Sequence, residues 1–176
     1  MPRLTAPLAT LLLLSPWTAA SASRAQVGMP APWFRLNTLD GGAVTSTQLR
    51  GKVTVFVIGR TRPSAPPCRE WSHALFKQFE RTRVEVFQVV VADKPWYLPR
   101  RAVISQIRKF APAGTHHRVL LEWYTFFADQ FDVVRDDLPT IIVIDKQGVI
   151  RYRTKGHLKP PALAQVESVI RAQERR

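Results

Sequence analysis

Residues 131–150 read FDVVRDDLPTIIVIDKQGVI, and the arrangement of this stretch decides the fold. Thr140 to Ile144 is a short, continuous apolar run rich in β-branched residues, the pattern of a strand buried on both faces. Asp145-Lys146-Gln147-Gly148 turns the chain, and Val149 to Thr154 returns as the second strand of a hairpin. Leu138-Pro139 leads into the first strand. Beyond the hairpin a helix starts near Pro160-Pro161, with Leu163, Val166, Val169 and Ile170 turned inward at helical spacing.

Upstream, Val53 to Ile58 and Val84 to Ala92 read as two further buried strands. Between them lies a loop rich in proline and arginine, Gly59 to Pro67. A helix follows from Cys68 to about Thr82, its apolar face marked by Trp71, Leu75, Phe76 and Phe79. Pro99 through Phe110 predicts a helix with Val103, Ile104 and Ile107 inward. Val119 through Phe131 predicts another, with the aromatic group Trp123, Tyr124, Phe126 and Phe127 assigned to the core. Nearer the N-terminus, Val27 to Leu36 is extended and Asp40-Gly41-Gly42 is a hairpin turn. Strands alternating with helices, then a hairpin and a terminal helix, give an α/β sandwich: a central mixed β-sheet flanked by helices.

The 176 residues are 45% hydrophobic, which excludes sustained disorder and collagen. A single cysteine cannot close an intramolecular disulfide, so a disulfide scaffold is excluded as well. Lys and Arg number 26 against 13 Asp and Glu, a net charge of +13. Such a charge attracts anionic partners without selecting among them. The basic residues are spread over several elements with no nucleic-acid-binding signature, so nucleic acid is not the expected partner. His73 and His116-His117 lack metal-ligand spacing relative to Cys68, and no metal or cofactor is expected.

Residues 1–22 have the pattern of a secretory signal. Arg3 opens it, an apolar run centred on Leu11 to Leu14 follows, and Ala20-Ser21-Ala22 is a small-x-small cleavage site. The expectation is a signal peptide over 1–22 and one domain over 23–176, periplasmic or secreted. The alternative is an uncleaved leader that anchors the protein in the membrane. No later segment is long and apolar enough to span a bilayer.

Two markers carry a family resemblance over about Val27 to Ile170. The first is G-x-x-A-P-x-F-x-L, here Gly28 to Leu36, followed by Leu39-Asp40-Gly41 and Leu49-Arg50-Gly51-Lys52-Val53. The second is Phe131-Asp132-Val133 leading through Leu138-Pro139-Thr140 into Ile144-Asp145-Lys146-Gln147-Gly148-Val149-Ile150. In order and spacing these resemble the thioredoxin-like superfamily, in particular its exported thiol–disulfide reductases of cytochrome maturation and their thiol-specific antioxidant relatives. The resemblance implies a cis-proline at Pro139 and a substrate groove along Leu138, Pro139 and Thr140.

The third family marker is broken. Those reductases carry W-C-P-P-C-R at the start of the first long helix, where this chain has Ser64-Ala65-Pro66-Pro67-Cys68-Arg69. Cys68 matches the second cysteine, and Ala65 replaces the first. The first thiol attacks the substrate disulfide and the second resolves the mixed disulfide, so a two-cysteine cycle within one molecule cannot run. The peroxiredoxin signature P-x-x-x-T-x-x-C fails too, since Thr61 and Ala65 stand where proline and threonine are required.

Two functions remain open. In the first, Cys68 acts as a lone catalytic thiol in mixed-disulfide or thiol-oxidation chemistry. The helix start and Arg60, Arg62 and Arg69 would then lower its pKa. Its partner would be a protein thiol or disulfide. In the second, Cys68 is an inert buried residue, and the domain is a redox-inactive module that binds a protein segment, extended or acidic.

Overall fold

The computed structural model describes residues 25–92, 97–112 and 114–176; the expected signal peptide lies outside them. Its strands are β1 (Arg35–Thr38), β2 (Ala43–Thr45), β3 (Thr54–Gly59), β4 (Glu85–Val91), β5 (Val119–Glu122), β6 (Thr140–Ile144) and β7 (Ile150–Lys155). The helices are α1 (Ala65–Phe79), α2 (Arg100–Phe110), α3 (Phe126–Gln130) and α4 (Pro160–Glu174), with a 3₁₀ turn at His116–Arg118. The strands form one sheet in the order β2-β1-β5-β4-β3-β6-β7. Its centre, β5-β4-β3, is parallel; β6 and β7 on one side and β1 and β2 on the other join antiparallel.

The hairpin expected at residues 140–154 is present, and its turn is held by one side chain. Asp145 accepts hydrogen bonds from the backbone N–H of Gln147 (2.9 Å) and Val149 (2.8 Å), and Arg151 Nε donates to it at 2.6 Å. The extended N-terminal segment packs on the same turn, where Gly28 donates to the Ile150 carbonyl at 2.8 Å.

Successive residues of a strand face opposite sides of the sheet, and the two faces have separate cores. Phe56, Ile58, Phe87 and Val89 point to one face, where they meet Phe34, Phe127 and Phe131. Val55, Val57 and Val86 point to the other, beneath Trp71, Leu75 and Phe79 of α1 and Val166 and Ile170 of α4. On α1 the inward positions 68, 71, 75 and 79 recur every three or four residues, so one stripe of the helix is buried. Trp71 adds an anchor, donating its indole N–H to the Gly156 carbonyl at 2.9 Å.

The helix expected over Val119 through Phe131 is not formed as one element. Val119–Glu122 is instead β5, parallel to β4 and antiparallel to β1. All four of its residues are buried, the signature of a central strand, and the chain becomes helical only at Phe126. This changes the fate of the aromatic group. Phe127 is buried, but Trp123 is half-buried and Tyr124 exposed on the connection that leaves the end of β5, and Phe126 is exposed at the start of α3.

Candidate functional site

β3 ends at Gly59, and the chain must reverse to start α1 over the same face of the sheet. Ser64 makes that turn. Its hydroxyl donates to the Thr61 carbonyl at 2.7 Å and accepts from the Thr61 N–H at 3.3 Å. The Thr61 hydroxyl in turn donates to the Asp137 carboxylate at 2.8 Å. The loop before α1 is thereby tied to the loop before β6, and the Ala65–Cys68 turn lies beside Leu138–Thr140.

Within this frame Ala65 is exposed at the start of α1, whereas Cys68, one turn later, is 1% exposed and packed with Val53, Val55, Val57 and Trp71. The sulfur sits so close to the end of β3 that a Cβ on Gly59 would lie 2.8 Å from Cys68 Sγ and 2.6 Å from Ser64 Oγ. Glycine is required here by approach, not by backbone angle. Burial pushes the Cys68 thiol up to about 12, and the Ser64 hydroxyl opposes this only in part.

The expected lowering of that pKa by arginines is therefore corrected. Arg60 lies elsewhere: Nη1 donates to the Val133 carbonyl at 2.7 Å and pairs with Asp129 at 2.9 Å. Arg69 stacks over the Phe110 ring, and Arg62 is exposed on the loop. Desolvation of a thiolate in an apolar seat outweighs a helix start that none of these side chains reinforces.

The second half of the site also departs from expectation. No peptide bond among the described residues is cis, so the bond preceding Pro139 is trans rather than cis. Trans is the ordinary state of an X–Pro bond, and the local hydrogen bonds are satisfied in it. Pro139 is buried, and its carbonyl accepts from Gly156 N–H at 3.1 Å. Thr140 is paired on both sides, with Ile58 and Lys155, and Leu138 N–H donates to the Asp136 carboxylate at 3.1 Å.

One buried ionisable residue escaped the sequence reading. Glu122 at the end of β5 is 3% exposed and accepts from the backbone N–H groups of Phe127 and, at 3.1 Å, Ala128. It closes the start of α3. Burial raises its carboxyl to about 7, against the lowering effect of those two N–H groups and of Arg60. A carboxylate four residues before a helical aromatic pair is a capping signal, but a helical pattern running from Val119 to Phe131 masks it.

The histidines are dispersed. His73 is exposed on α1, His116 faces the Ala111 carbonyl, and His117 accepts from Arg118. Among the described residues no group of three or more His, Cys, Asp or Glu side chains is placed to hold a metal ion. No described helix is long and apolar enough to cross a membrane.

The mixed seven-stranded sheet with its four helices is a thioredoxin-like α/β fold. Residues 26–170 match the Redoxin family, and the chain belongs to it. Among curated proteins none matches this chain. Solved structures similar to it include a Chlorobium tepidum protein assigned as thiol:disulfide interchange protein DsbE. The identity is 19% and the TM-score 0.66, with 84% of this chain and 97% of that one covered. A second is the pneumococcal exposed lipoprotein thioredoxin Etrx1 from Streptococcus pneumoniae, at 17% identity, TM-score 0.62, and 78% and 99% coverage. A third is BsSco, a member of the Sco family of cytochrome c oxidase assembly proteins, at 13% identity, TM-score 0.62, and 88% and 98% coverage. At these identities the likeness speaks for the fold.

Proposed function

We propose that this chain is an exported thioredoxin-fold binding module for a protein partner, in which Cys68 packs the core and does not exchange thiols. The observation that carries this reading is the seat of Cys68: a residue 1% exposed, with its thiol pushed up to about 12, offers neither access nor thiolate. The absence of a thiol at position 65 supports it, because an attacking group is missing from the one exposed position at the helix start. Export rests on the leader pattern of residues 1–22 and agrees with a relative named as an exposed lipoprotein.

Membership of the Redoxin family favours the second reading, lone-thiol chemistry at Cys68 with a protein thiol or disulfide. That chemistry requires the sulfur to leave its seat against Gly59. Insulin-disulfide reduction with dithiothreitol as donor separates the two. The unmodified protein is expected to give no rate above dithiothreitol alone, and Ala65→Cys, which places a thiol at the exposed helix start, is expected to raise it. Reduction by the unmodified protein at a rate comparable to a two-cysteine relative would overturn the proposal.

A further inference from the structure

α2 lies beside α1 on the same face of the sheet, yet the two helices do not close on each other. Between them runs a cleft of about 1860 Å³, which starts at the Arg60–Arg62 loop. Gln88, Val90 and Val119 of the sheet floor it, and Phe76 on α1 and Val103 and Ile107 on α2 wall it. α2 places no residue fully inside. Val103 and Ile107 are half-buried and Phe110 is 53% exposed, so apolar surface stays uncovered on the α2 wall. The volume exceeds the roughly 300–1,000 Å³ of small-molecule pockets, which favours a length of chain over a compact ligand.

The charge around this apolar floor is one-sided. Its described lining residues include Arg60, Arg62, Arg69, Lys77, Arg118 and Arg135, against Glu70 and Glu80. Arg60 is committed to Asp129. Arg69 stacks over Phe110 and Arg118 over Phe76, each guanidinium carbon 5.4 Å from the ring centroid. A guanidinium seated over a ring still offers N–H groups to a carboxylate; at Arg118 the Nε–H already donates to His117 at 3.2 Å, which leaves its terminal N–H groups for that role. Among the described residues no carboxylate forms an ion pair with Arg62, Arg69, Lys77 or Arg118. On the α1 wall, the buried Ser72 hydroxyl has no hydrogen-bond partner among the described residues.

We propose that this cleft docks an acidic, amphipathic helical segment of a partner protein. Its apolar stripe would lie on Phe76, Val90, Val103 and Ile107, and its carboxylates would meet Arg62, Arg69 and Arg118. The proposal rests on the binding-module reading and names that module's partner. Charge complementarity selects this occupant over two others. The chain's own leader, residues 1–22, is apolar but contains no Asp or Glu, and a second copy of a chain carrying +13 is repelled.

The test is fluorescence anisotropy with a labelled helical peptide bearing leucine at i, i+3, i+4 and i+7 and glutamate elsewhere. The purified protein is expected to bind it saturably, more weakly as salt rises, while the lysine-for-glutamate peptide and a peptide of residues 1–22 do not bind. Arg69→Glu with Arg118→Glu is expected to weaken binding at least about tenfold, which is ~1.4 kcal/mol. Arg69→Gln with Arg118→Gln is the milder variant, kept for the case in which reversal disturbs folding as read by circular dichroism. Arg175→Glu, at the end of α4, is expected to leave the affinity unchanged. The proposal is overturned by failure of the acidic peptide to bind, by equal binding of the lysine or leader peptide, or by affinity that survives both arginine pairs. Saturable binding of laurate without the peptide would likewise overturn it, by assigning the cleft to a small amphiphile. Iodoacetamide labelling of Cys68 in the same samples keeps the two readings apart. Protection with no peptide binding removes only the cleft proposal, whereas fast labelling removes the module reading.

Discussion

Alkylation of Cys68 measures its environment directly. With the thiol at about 12, the thiolate fraction at pH 8 is about one in 10,000. A free cysteine at about 8.5 has about one thiol in four ionised at that pH. Since the thiolate is the reacting species, ionisation alone slows labelling roughly two thousandfold. Burial adds a second barrier, because a residue 1% exposed must wait for the chain to open. At a typical stability of 5 kcal/mol or more, fewer than about one molecule in 1,000 is open at any moment. Iodoacetamide labelling followed by intact mass, at pH 7, 8 and 9 with and without guanidinium, reads both effects. The expected result is protection in native buffer, lost in step with unfolding. Stability is expected to follow the same ionisation. The folded state keeps the Cys68 proton between about 9 and 12 while the unfolded chain releases it, so stability falls as pH rises through that window, and Cys68→Ala flattens the fall. Labelling in native buffer at pH 7 as fast as in the denatured chain would refute the reasoning.

Gly59→Ala is expected to destabilise the domain by about 1–3 kcal/mol, since the new methyl would meet Cys68 Sγ at 2.8 Å and Ser64 Oγ at 2.6 Å. Combined with Cys68→Ala, the loss measured by urea denaturation should be smaller than the sum of the two, because removing the sulfur frees part of the space; strict additivity would show that the contact is not felt. Glu122 predicts a second pH dependence. Its folded-state carboxyl, raised to about 7 from an ordinary 4.5, holds a proton that the unfolded chain has released, so stability falls as pH rises from about 4.5 to about 7. Glu122→Gln should remove that slope in thermal melts at pH 5 and 7.5, and an unchanged slope would assign it to another group.

The parts of this fold legible in the sequence are those where one local rule dominates. β3, β4 and β6 are continuous β-branched runs, and α1 and α4 carry apolar residues at helical spacing, so pattern and structure agree. β5 was not legible. Four residues, Val119 to Glu122, followed by aromatic residues satisfy a helical pattern as well as a strand pattern, and only pairing with β4 and β1 decides between them. The same ambiguity hid Glu122. At the site, the replacement at Ala65 was readable because it is a matter of identity. The state of Cys68 was not, because it depends on which side of a helix start faces Gly59, and the arginines close to it in sequence point to Asp129, to Phe110 and to solvent. The cleft between α1 and α2 depends on how far apart two helices sit, which no spacing within either helix records.

The seat against Gly59 gives the cysteine at position 68 a packing role of its own. Sγ occupies a space bounded by a backbone carrying no Cβ, by Ser64 Oγ and by the apolar core around Trp71. Alanine there would leave a void, losing transfer and packing energy together. Serine would bring a second hydroxyl beside one already engaged with the Thr61 carbonyl, at the cost of burying a polar group in an apolar seat. Valine would add a β-branch at the first turn of α1, where Gly59 already approaches the side chain closely. A thiol is weakly polar, fills the volume, and stays neutral because burial keeps it so. Facing solvent beside this seat are Ala65, Arg62 and the mouth of the cleft, the surface through which the proposed module would hold its partner.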